Sequence, residues 1–95
     1  MATYVQYLYR APGSSEEVEI SSERWPYKEP ADVLPMIASV GDTTTIRPDN
    51  QKEYGEEREV LVLEYRGPFT AYTHWKDQPH VAENNSITVV VADPK

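Results

Sequence analysis

His74, Asp77, His80 and Glu83 recur at every third position, and all four side chains are ligand types for zinc or a similar metal. The spacing serves neither regular element. Pro79 forbids a clean helix, and a step of three alternates faces along a strand. These residues therefore read as a polar loop, and no metal site is expected. Nucleophilic catalysis has no firmer footing, because no Gly-x-Ser-x-Gly elbow accompanies the serines and the two histidines. Sixteen acids could supply a carboxylate pair for glycoside chemistry, yet no pair is set apart by its surroundings. Zero cysteines exclude thiolate metal sites, iron–sulfur clusters, disulfides and a cysteine nucleophile. Four glycines with no Gly-rich run leave no phosphate loop and no dinucleotide fingerprint. The chain thus reads as a non-enzyme without a cofactor. One alternative is a small-molecule binder or minimal enzyme using His74 and nearby acids.

Recognition chemistry is better represented. Seven tyrosines stand against one phenylalanine, and tyrosine buries a ring while keeping a hydroxyl wet, which suits rims and interfaces. Trp25-Pro26-Tyr27 sits in a segment bounded by Pro30, where a stiff backbone could present two rings to a partner. The same rings could instead fold back as a lid on the core. Acids gather at Glu16, Glu17, Glu19 and Glu23, and again at Glu53, Glu56, Glu57 and Glu59. If the second and fifth segments lie near each other, they make one negative face. The candidate binding residues are Trp25, Tyr27, Glu53, Tyr54, Glu56 and Glu57. A net charge of −7 disfavours direct contact with nucleic acid or an anionic membrane. The same charge serves solubility, and it would steer the domain toward a basic partner. The expected function is protein binding, as a small acidic inhibitor or accessory subunit that occludes a basic, for instance nucleic-acid-binding, surface. Self-assembly into a homo-oligomer through strand edges is the structural alternative.

These groups must be positioned by strands. Eight prolines spread along 95 residues rule out long helices. Residues 3–10 and 16–22 alternate and read as a hairpin across the turn at Ala11-Pro12-Gly13. In the first strand Val5, Tyr7 and Tyr9 share one face, with Tyr4, Gln6, Leu8 and Arg10 on the other. Residues 23–30 read as a loop. Asp32 is a good N-cap for a helix at about 33–39, with Val33, Met36, Ile37 and Val40 on one stripe and Gly41 as its stop. Further strands are expected at 43–47, 58–66, 69–75 and 86–92, with Gly67-Pro68 as a break and polar loops at 49–57 and 76–85. The apolar centres at 60–63 and 87–91 should be neighbours in the sheet interior. The fold class expected is α+β and strand-dominated: one domain over residues 1–95, a compact, mainly antiparallel sheet of about six strands, and one short helix.

The first residues lack a basic region followed by an apolar run, so no signal peptide is expected. The apolar runs are far shorter than the roughly 20 residues that span a bilayer. The cytoplasm is the expected compartment.

Overall fold

The computed structural model describes residues 2–74 and 81–94. Five strands form one sheet: β1 (Ala2–Arg10), β2 (Glu17–Pro26), β3 (Thr43–Ile46), β4 (Arg58–His74) and β5 (Val81–Ala92). Their order is β2-β1-β5-β4-β3. Neighbours pair antiparallel except β1 and β5, which run parallel from Thr3↔Asn85 to Arg10↔Ala92. The sheet is therefore mixed, and it curls until its two edges approach. Asp49, just past β3, donates its backbone N–H to the Ile20 carbonyl of β2 at 2.9 Å, and the Ser21 hydroxyl donates to the Arg47 carbonyl at 2.8 Å.

The inward face of β1 carries Val5, Tyr7 and Tyr9, as the alternation requires. They pack with Ile20, Ile46, Val60, Val62, Ile87, Val89 and Val91. Val62 opposes Val91 and Tyr65 opposes Val89, so the two least polar runs are indeed neighbours. Each such valine contributes about 1.5–3 kcal/mol by leaving water.

The fold is strand-dominated as expected, with five strands where about six were expected, and it corrects local boundaries. The expected strands at 58–66 and 69–75 are one strand, β4. The register shifts between Arg66 and Phe69. A bulge there absorbs Gly67, at φ +101°, and Pro68, on a stretch of β4 that β3 does not reach. Proline is tolerated where no ladder bond is asked of it. Trp25 and Pro26 are the end of β2, not a loop, for the same reason: β2 is an edge strand. The helix begins at Pro30, not after Asp32. It is one turn of α-helix, α1 (Pro30–Val33), followed by a 3₁₀ turn over Leu34–Met36. Glu29 is the N-cap, and its backbone N–H is held by the Asp32 carboxylate at 3.2 Å. Pro35, which would break a continuing α-helix, lies in the 3₁₀ turn, and the helix ends at Met36. Finally, the polar loop at 49–57 contains a second helical turn, α2 (Gln51–Tyr54), and β5 begins at Val81 rather than 86.

Beyond Thr70↔Asn85 the described residues of β4 and β5 pair only with each other, forming a two-stranded arm. The molecule measures 47 × 28 × 24 Å. Among the described residues, no helix is long and apolar enough to cross a membrane.

Candidate functional site

The curl leaves two ends, and the chain closes them differently. At the start of β1 the connection between β2 and β3 covers the core. Tyr27 follows the last residue of β2 with φ +61°, the left-handed region that a bulky side chain rarely occupies. The buried Thr3 hydroxyl then donates to the Lys28 carbonyl at 2.7 Å. Val33 of α1 is fully buried in the core, with Leu34, Ile37 and Ala38 half-buried against it. The Tyr65 hydroxyl donates to the Ala38 carbonyl. Gly41, at φ +92°, donates its backbone N–H to Val62 at 2.9 Å, and Val62 returns one to Asp42. The segment is thus pinned at Lys28, Val33, Ala38 and Gly41. Around those pins it turns large apolar side chains outward: Tyr27 is 92% exposed, Met36 60% and Val40 54%.

Trp25 does not join them. It lies opposite Thr3 in the β1–β2 ladder, is partly buried against the core, and donates its indole N–H to Glu23 at 3.3 Å. Of the two expected anchors, only Tyr27 faces solvent. Met36 and Val40 were expected on a core-facing stripe, and the early end of the helix turns them out instead.

The other end, where β1 finishes, carries the rest of the expected set. Asn50 caps α2 by accepting from the Glu53 backbone, and its amide donates to the Glu53 carboxylate. Tyr54 packs edge-on against Tyr9, ring centroids 5.9 Å apart. Arg58 lies over both rings, at 5.0 and 5.7 Å. Its guanidinium donates to Asp93 at 2.8 Å and to the Tyr9 hydroxyl at 3.2 Å, and that hydroxyl donates to Asp93 at 2.7 Å. The Tyr9 and Arg58 bonds hold the Asp93 carboxyl below its ordinary range, while burial raises the Tyr9 phenol. This is a clasp in which ring, cation and carboxylate engage one another, although the buried Arg58 Nε has no hydrogen-bond partner among the described residues. Glu53, Glu56 and Glu57 are exposed beside it, and Glu57 stands 3.8 Å from Arg47. Trp25 and Tyr54 therefore belong to opposite ends, about 20 Å apart along β1 at 3.3 Å per residue.

The seam at Ile20 and Asp49 brings β2, which carries the first acidic cluster, to the segment that leads into the second. The first cluster is not bare. Glu17 accepts from Arg10 at 2.8 Å and from both ends of the Arg66 guanidinium at 2.7 Å. Those bonds, Arg66 first, lower its carboxyl from 4.5 to about 2. Glu64 joins the same network through Arg66 at 2.9 Å.

Asp77 and His80 lie outside the described residues, as do the side chains of His74 and Glu83. Among the described residues, no three metal-ligating side chains converge.

The clasp went unforeseen. Tyr9, Arg58 and Asp93 are remote in sequence, and only the parallel pairing of β1 with β5 brings Tyr9 and Asp93 to one end. Compared with protein-family models, characterised proteins and solved structures, this chain matches none.

Proposed function

We propose that this chain is a non-enzymatic protein-binding domain, a small acidic inhibitor or accessory subunit of the cytoplasm, whose contact surface is the segment from Tyr27 to Val40. The observation that carries this reading is Tyr27. A bulky residue held at positive φ with its ring in water costs about 1–2 kcal/mol of backbone strain and returns no burial. Pins on both sides keep the segment ordered, so little entropy is lost when the ring docks. Glu29, Asp32 and Asp42 flank the apolar side chains against one Lys28. The fitting partner is a protein with an apolar groove rimmed by basic residues, such as a nucleic-acid-binding surface, which the domain would occlude.

The test is affinity capture with the parent and with Tyr27→Gly. Glycine accepts positive φ without strain, so the variant keeps or raises its melting temperature. A partner held by the parent should be lost by the variant through faster dissociation. A partner bound equally by both would remove this surface from consideration.

A second reading, self-association, has its own observation. The arm of β4 and β5 has no third strand beside it among the described residues, and open edges template pairing with another chain. Light scattering decides it: a monomer at all concentrations rejects it, and a discrete oligomer supports it.

A further inference from the structure

The outward face of the sheet presents two aromatic rings in one ladder row. Phe69 of β4 pairs with Ser86 of β5, and Ser86 pairs with Tyr4 of β1. Cross-strand partners share a face. The fully buried Thr3 and Val5 on either side of Tyr4 mark that face as the outer one. Phe69 is 52% exposed and Tyr4 38%. The Phe69 ring lies against Gly67, whose missing side chain leaves it room: a Cβ there would stand 2.9 Å from the ring. Two strand spacings, about 10 Å, separate the backbone positions of the two rings. Beside Tyr4 and Ser86 opens a cleft of about 340 Å³, mostly apolar, whose wall continues through Gln6 and Ser22 to Glu19. Asn84 and Asn85 complete the lining and are already engaged within the protein, Asn85 by the Thr70 hydroxyl.

This face fits one kind of ligand. A polyproline II helix advances about 9 Å per turn of three residues, so prolines one turn apart match rings about 10 Å apart. A proline ring is an apolar group that packs on an aromatic surface, and the helix is extended before it docks, so little entropy is lost. Its carbonyls are not bonded within the helix. The Tyr4 hydroxyl and the Gln6 amide, which have no hydrogen-bond partner among the described residues, stand beside that path as donors. Glu19 lines the same cleft with no cation paired to it among the described residues, and the chain carries −7 overall. A phosphate backbone is repelled there, as is a second copy of this chain, and a basic side chain is attracted. Arg24, opposite Tyr4 on β2, ends the aromatic row, so a basic residue belongs on the Glu19 side. We propose that this face binds a proline-rich peptide in polyproline II form with a flanking basic residue. Its prolines pack on Phe69 and Tyr4, and its cation meets Glu19.

The experiment titrates the whole chain with decaproline bearing arginine at one end or the other, and reads proton–nitrogen correlation spectra. Decaproline bearing glutamate, a glycine–serine peptide of equal length bearing arginine, and a short single strand of thymidine nucleotides are the comparisons. The expected result is saturable movement of the Tyr4, Ser86 and Phe69 backbone signals by an arginine-bearing decaproline, with a Kd between about 10 μM and 1 mM. Tyr4→Ala and Phe69→Ala should each weaken it about tenfold or more. Tyr4→Leu and Phe69→Leu, which keep an apolar side chain in the strand, should show the same loss with the parental circular dichroism. Glu19→Lys should abolish the preference for arginine over glutamate. Unmoved signals overturn the proposal, and so does affinity that survives loss of either ring. Equal binding of the glycine–serine peptide, or tighter binding of the glutamate peptide or the thymidine strand, also overturns it. Tyr27→Gly leaves peptide binding unchanged, because Tyr27 does not line the cleft, so this result is independent of the protein-binding reading.

Discussion

The two ends of the curled sheet hold comparable aromatic side chains and use them in opposite ways. At one end Tyr9 and Tyr54 face each other beneath Arg58, with Asp93 accepting from both Tyr9 and Arg58. At the other, Val33 fills the core while Tyr27, Met36 and Val40 stand in water. The lesson is about where stability is surplus. An end whose rings, cation and carboxylate engage one another draws stability from those contacts. An end pinned by backbone hydrogen bonds keeps its shape without its outer side chains, which leaves those free for a partner.

Both ends hang on one core, so the comparison fails first if that core is misplaced. Val62 is fully buried opposite Val91, and Val62→Asp places an unpaired carboxylate there. It should unfold the domain by circular dichroism. A parental melting curve would mean that neither end is closed as described.

The pH limbs of stability come next. Burial first, then Glu23 and Tyr65, raise the Tyr7 phenol from 10.0 to about 12. The native state thus favours the protonated phenol. That contribution, on the order of 2–3 kcal/mol, is intact below the unfolded value of 10.0 and lost as pH climbs to about 12. Tyr7→Phe should flatten the alkaline limb. Glu17 works at the other limit: with its carboxyl lowered from 4.5 to about 2, its contribution is present above 4.5 and disappears as pH falls toward 2. Glu17→Gln should flatten the acid limb, measured by denaturant titration at each pH.

The sharpest contrast between the ends is a pair of substitutions. Arg58→Ala strips the clasp and leaves Asp93 and both rings without their cation, at a cost of about 1.5–3 kcal/mol. Asp32→Ala removes one bond to the Glu29 backbone and costs about 0.5 kcal/mol. Tyr27→Ala at the open end should change stability by less than about 0.5 kcal/mol. Melting temperatures measured side by side would merge the two ends into one kind if Tyr27→Ala cost as much as Arg58→Ala.

Much of this was legible in the residues. The faces of β1 follow from a period of two, and the runs at 60–63 and 87–91 were bound to meet because nothing else in the chain is as apolar. The absence of cysteine and of glycine-rich loops excluded whole classes of chemistry. The continuity of β4, the helix start and the division of the binding residues were not legible. Gly67-Pro68 reads locally as a stop, and only an unpaired stretch of β4 lets the strand pass through it. Pro35 warns that a helix cannot simply continue, but the burial of Val33 and the capping by Glu29 decide that it begins at Pro30. Tyr27 and Trp25 are two residues apart and of one chemical kind. Pairing with Thr3 keeps Trp25 partly buried against the core, and a positive φ just past the ladder turns Tyr27 into water. Local sequence sets which backbone shapes are cheap and which side chains avoid water. The parallel closure of β1 on β5 and the curl that brings β2 to the end of β3 arise from contacts distant in the chain, and those contacts decide which residues share an end.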